Sequence, residues 1–232
     1  MKPGFASVFY FIISNLAILL CFVPFLLIWI KKLKEEKAYL FIAIYWLANG
    51  LMNLPGWIGL SNNKMLLHHI TLVYNLLDAP MLLLVFLFST NGNNRKIVRY
   101  TLFSFIVFEA IMTAWKGYSL TASTVIIGVG TFLAITFSIM GVMDYIQKIE
   151  HTPFENTMVF VYASFLFAYG IFVIIYFFSY LTTASKTENI DNFIIYYISL
   201  FLSTFLTCFG FWQYAGKQKT RPANRLNSVS SL

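Results

Sequence analysis

The sequence predicts an all-α polytopic membrane protein, a seven-transmembrane-helix bundle with its N-terminus outside and its C-terminus cytoplasmic. Three observations predict it. Only 11% of the 232 residues are charged and 59% are hydrophobic, with a mean hydropathy of +0.74. A water-facing surface draws on roughly 25% charged residues. Apolar runs, most of them near the roughly 20 residues that cross about 30 Å of hydrocarbon, alternate with short polar stretches. Lysine and arginine gather in every second polar stretch, as oriented insertion requires.

The runs cover residues 5–30, 39–60, 66–89, 97–115, 123–143, 157–181 and 193–212. The first is too long for the 7–15-residue apolar segment of a signal peptide, and its positive charges follow it, so cleavage is not expected. KKLKEEK closes it. Pro55 and Gly56 interrupt the second near its end, and SNNK separates it from the third. NGNNRK precedes the fourth, WKGYS the fifth (rich in Gly, Thr and Ser), YIQKIEHTPFEN the sixth and TTASKTENIDN the seventh. Helices are required because lipid leaves open backbone groups unpaired, and the alternating strands of a barrel are missing from the pattern. Residues 1–216 read as one transmembrane domain, and 217–232, ending RPANRLNSVSSL, as a polar cytoplasmic tail expected to be disordered. No internal repeat of the kind many transporters carry is evident.

Orientation follows from the cations. Lys31, Lys32, Lys34, Lys37, Arg95, Lys96, Arg99, Lys148, Lys217, Lys219, Arg221 and Arg225 fall on one side; Lys2, Lys64, Lys116 and Lys186 fall on the other. Twelve against four accounts for all 16 and assigns the rich side to the cytoplasm. The net charge of +7 therefore belongs to headgroup contact. No basic stripe interleaved with aromatics suggests a nucleic-acid partner. The lipid bilayer is the expected partner, and the compact form with a short tail suits a bacterial inner membrane. Oligomeric state is not encoded in any pattern here.

Polar side chains at membrane depth are the functional candidates, because an ionisable group there costs about 2.5–3.5 kcal/mol on insertion. Asp78 lies about 18 Å into the third run, near the midplane. His68, Thr71, Asn75 and Asp78 follow one another at +3, +4 and +3, a stripe along the helix, with Pro80 just beyond and expected to kink it. Glu109 lies about 18 Å into the fourth run, so the two acids are placed to approach each other at mid-depth. Thr113 and Lys116 extend its face, and Lys116 is expected to snorkel outward. No Lys or Arg shares the depth of either acid. Each must be protonated, bind a cation or sit in water.

Supporting stripes complete a polar interior: Asn49 with Asn53; Tyr162, Tyr169, Tyr176 and Tyr180; Tyr196, Ser199, Ser203 and Thr207 with Gly210; Gly128, Thr131 and Ser138. Such residues also serve as helix-packing contacts. Trp46, Trp57, Trp115 and Trp212 fit an interfacial belt. Cys21 and Cys208 sit within apolar runs as small core residues, and His68 and His69 project about 100° apart, so no metal site is expected. No G-x-S-x-G elbow marks a serine hydrolase.

The layout resembles microbial rhodopsins in size, helix number, orientation and short loops. Tyr74 to Leu84, YNLLDAPMLLL, is similar to their acid-and-proline third helix. That resemblance implies retinal on a seventh-helix lysine. Residues 193–212 contain none, so covalent retinal is disfavoured and no cofactor is expected.

The expected function is therefore a transport or receptor-like one: binding or moving a proton, cation or small ligand through a polar core. The candidate residues are Asp78, Glu109, Asn75, His68, Thr71, Asn49, Asn53, Tyr196 and Ser199. A lipid-acting enzyme using Asp78 or Glu109 as acid or base, and a membrane scaffold, are the alternatives.

Overall fold

Each apolar run is helical where the structure describes it, apart from a turn at Phe22 in the first. The computed structural model describes residues 5–56, 64–117, 119–176 and 189–219. Its helices are α1 (Phe5–Cys21), α2 (Val23–Ile30), α3 (Lys37–Asn53), α4 (Lys64–Ser89), α5 (Gly92–Lys116), α6 (Leu120–Ile146), α7 (Pro153–Tyr176) and α8 (Asn189–Lys219), with no strand among the described residues. The tail expected to be disordered, 217–232, is helical over its first three residues, because α8 runs on to Lys219; from residue 220 onward it lies outside the described residues, as do Trp57, Tyr180 and Lys186. Lysine enters α8 only in its last turn, at Lys217 and Lys219.

Pro24 divides the first run into α1 and α2. A proline lacks the N–H of the helical ladder and its ring crowds the carbonyl one turn back. Phe22 N–H accordingly turns to Leu19 O at 3.2 Å, and the ladder resumes with Leu26 N–H on Phe22 O. Pro80, by contrast, sits inside an unbroken α4. Thr90 and Asn91 alone join α4 to α5, and Gly92 takes a left-handed φ of 63° in that tight turn, which favours glycine.

Among the described residues, six segments are long and apolar enough to cross a membrane: Val8–Ile30, Met65–Ser89, Gly92–Lys116, Thr121–Ile146, Pro153–Tyr176 and Ile194–Tyr214. The chain is thus a helical, multi-pass membrane bundle. The second run is represented by α3, of 17 residues, followed by a 3-10 turn over Leu54–Gly56. It reaches residue 56, and residues 57–60 of the expected run lie outside the described ones.

Packing centres on α7 against α8 and α6, with α3 set against α1 and α4. Close approach depends on small residues: the ring of Tyr162 lies directly over Gly141, and Ala79 over Gly130. The core is aromatic. Trp46 stacks on Phe165, Phe165 meets Phe86 edge-on, and Phe86 stacks on Tyr162. α5 is the edge helix, packed on α4 and α6, with Phe103 and Trp115 facing outward.

One expectation is corrected. Trp46 is not an interfacial residue: it is 1% exposed, and its indole N–H donates to Thr207 Oγ1 at 3.1 Å. A tryptophan can leave the interface once its one polar atom has a partner inside. Trp115 and Trp212 are exposed, each with a lysine over its ring, Lys116 and Lys31.

Candidate functional site

Asp78 is anchored by tyrosines. Its Oδ2 accepts from Tyr169 O–H of α7 at 2.7 Å and its Oδ1 from Tyr74 O–H, one turn earlier on α4, at 3.2 Å. Tyr169 and Tyr45 of α3 share a hydroxyl–hydroxyl bond of 2.9 Å, and Tyr74 O–H also reaches Asn49 Oδ1 on α3. Asn49 passes the chain onward along α3. Its Nδ2 donates to Tyr45 O at 3.1 Å, and its carbonyl accepts from Asn53 Nδ2 at 2.8 Å. Asn53 meets Tyr196 O–H at 3.5 Å and accepts from Tyr197 O–H at 3.4 Å, both on α8. Four helices therefore converge on one polar chain. Tyr45, Asn49 and Tyr169 are buried, and Asp78 and Tyr74 are half-buried.

Counting protons shows what this arrangement can do. Asn49 Nδ2 points at a carbonyl, which fixes the amide so that its Oδ1 faces Tyr74 as an acceptor. Tyr74 has one hydroxyl proton and stands between two acceptors, Asn49 Oδ1 and Asp78 Oδ1. A charged Asp78 can take its two hydrogen bonds from Tyr169 and from Tyr45, the third hydroxyl beside it, while Tyr74 donates to Asn49. A neutral Asp78 can donate to the Tyr74 oxygen while Tyr74 still donates to Asn49 and Tyr169 to Oδ2. The chain therefore has a hydrogen-bonded arrangement for either state, the two differing by one proton. Among the described residues the one ion pair joins Lys148 to Glu155, far along the chain from this site.

This chain matches no known protein family, no curated protein and no solved structure. The site must be read from its own geometry.

Of the sequence-predicted residues, Asp78, Asn49, Asn53 and Tyr196 come together in the chain just described. Asn75 turns instead to α6, donating to Ser123 Oγ at 3.1 Å. Thr71 and His68 are exposed, and Thr71 bonds back to Leu67 O at 2.9 Å. Ten residues turn a helix through about 1,000°, leaving His68 about 80° from Asp78, whereas Thr71 shares its face within about 20° and differs by lying about 10 Å nearer the start of α4. His68 and His69 set their rings edge to face at 6.0 Å, and among the described residues no His, Cys, Asp or Glu cluster could hold a metal ion. Ser199 is buried, its hydroxyl without a partner.

Glu109 stands apart. Measured from the short α4–α5 turn, Asp78 is about 16 Å up α4 and Glu109 about 26 Å up α5. Both oxygens of Asp78 go to tyrosines, and Glu109 Oε1 is buried with no hydrogen bond.

Sequence reasoning did not single out Tyr45, Tyr74 or Tyr169 as site residues. The readable signals were the i, i+4 pairs Tyr45–Asn49 and Tyr74–Asp78, and the place of Tyr169 in the seven-residue tyrosine stripe of α7.

Proposed function

We propose that this is a seven-span membrane protein that binds a proton at Asp78 and couples it to transport or signalling across the membrane. The observation that carries the reading is the set of tyrosine hydroxyls on the Asp78 carboxyl, in a chain that has a hydrogen-bonded arrangement for both the charged and the neutral carboxyl. Hydroxyl donors suit a carboxyl group. A bound metal cation would instead call for converging lone pairs, which favours a proton over sodium or potassium. The seventh span in this reading is α3, whose 17 residues rise about 26 Å. Its support is that Tyr45, Trp46 and Asn49 are buried in the bundle, as a helix inside it requires.

Infrared spectroscopy of the reconstituted protein tests this. Wild type should show the carbonyl band of a protonated buried carboxyl, and Asp78→Asn should lose it. The variant should also lose any proton flux in liposomes and any pH dependence of melting that depends on this group. Addition of sodium or potassium at fixed pH should leave the band in place. If Asp78→Asn matches wild type in band, flux and melting, the proposal fails.

A further inference from the structure

The polar chain around Asp78 is lopsided. Toward the ends where α3 stops and α8 begins, it continues from side chain to side chain: Asp78, Tyr74, Asn49, then through the Asn49 carbonyl to Asn53, Tyr196 and Tyr197. Asn53 is the last residue of α3, and Tyr196 lies two turns into α8. Toward the opposite side, where α4 turns into α5, the next layer is rings. Tyr45 meets Trp46 and Phe165 edge-on, Trp46 stacks on Phe165, and Phe86 joins Phe165, Tyr162 and Phe137. Trp46, Phe86 and Phe165 are buried.

The hydroxyls beside and beyond this layer do not extend the chain. Ser164 donates to Val161 O, Thr204 to Leu200 O, Thr207 to Ser203 O, and Thr157 to Pro153 O and Gly210 O. Ser164 and Thr207 also share a hydroxyl–hydroxyl contact of 3.0 Å, so these groups bond to one another and to backbone carbonyls, and none of them bonds to Tyr45, Tyr169 or Asp78. The indole of Trp46 is a donor only, and it points at Thr207. The ionisable groups facing Asp78 are Tyr45 from α3, Tyr74 from its own helix, Tyr169 from α7 and, through Asn53, Tyr196 from α8. Glu109, the acid of α5, is displaced by about 10 Å along the axis, and Asp144 of α6 is engaged by Asn94 at 2.6 Å.

We infer that Asp78 exchanges its proton with one side of the membrane only, the side on which α3 ends and α8 begins, and that the Trp46–Phe165–Phe86 layer closes it to the other. The inference rests on proton binding at Asp78. It adds a direction that proton binding alone does not require.

The test uses the full chain in sealed vesicles, its orientation fixed by protease cleavage of a C-terminal tag, with the Asp78 carbonyl band as readout. A pH step on the α3-end side should change the band. The same step on the opposite side should not, until a protonophore equilibrates the two compartments. Asn53→Leu, which cuts the chain at its last link, should slow the response from the open side roughly tenfold, the equivalent of one lost hydrogen bond. Phe165→Ala should admit a response from the closed side; Phe165→Leu, which keeps more volume, serves if the alanine variant does not fold. A wild-type response to both sides, or to the opposite side alone, overturns the inference. A band that ignores pH even with protonophore, or that survives Asp78→Asn, instead overturns proton binding at Asp78 itself.

Discussion

The single hydroxyl proton of Tyr74 lies between Asn49 on one side and Asp78 on the other. Tyr74→Phe leaves the buried Asn49 Oδ1 with no donor, a loss of about 1–3 kcal/mol for an orphaned buried acceptor. Thermal unfolding in detergent should register it as a lower melting temperature. Removing both partners, in Tyr74→Phe with Asn49→Leu, should cost less than the sum of the single changes, since no polar atom is then stranded. Strict additivity would show that the two side chains do not share the bond. At this scale the sequence is half legible. Asp78 announces itself, as a charge in an apolar run must. Its partners do not: a tyrosine at depth reads equally as packing, and only the approach of α3 and α7 to α4 decides that Tyr45 and Tyr169 turn toward the carboxyl.

Between elements, helix approach is governed by where side chains are missing. A Cβ on Gly141 would stand 2.4 Å from the ring of Tyr162, which is itself stacked on Phe86 and buried, so the ring has little freedom to yield. Gly141→Ala should therefore destabilise the α6–α7 contact by about 1–3 kcal/mol, the usual range for overpacking. Gly170, on α7, is the control, with nothing within 4 Å of the same added carbon. Gly170→Ala should be neutral or stabilising, up to about 1 kcal/mol from helix propensity. Equal melting temperatures for the two variants would contradict the packing described. Helix ends follow similar local chemistry. Thr152 and Glu155 cap α7 reciprocally: Glu155 Oε2 accepts from Thr152 N–H at 2.8 Å, and Thr152 Oγ1 accepts from Glu155 N–H at 3.2 Å. Thr152→Ala should cost about 1 kcal/mol in the same melting assay. This T-x-x-E spacing explains why α7 begins at Pro153, four residues before its apolar run. Hydropathy marks where a chain is greasy, whereas caps mark where it is helical, so the runs were legible and their boundaries less so.

For the molecule as a whole, the helical membrane bundle was legible because composition alone rules out a wetted surface, while the role of α3 turns on a parity argument. The six long apolar segments, taken alone, would return both termini to the same side of the membrane. The cations speak against that. If α3 does not cross, Lys31, Lys32, Lys34 and Lys37 join Lys64, Lys116 and Lys186, and the 16 basic residues divide nine against seven. If α3 crosses, they divide twelve against four, the asymmetry that orients membrane insertion. An α3 lying on the surface would also have to expose Tyr45, Trp46 and Asn49, which are instead 4%, 1% and 4% exposed. Protease-accessible tags on the two termini should therefore be cleaved from opposite sides of sealed vesicles, the C-terminal one from the side that carries Arg95, Lys96 and Arg99. Cleavage of both tags from one side would remove the seventh crossing, and with it the assignment of the cation-rich face to the cytoplasm.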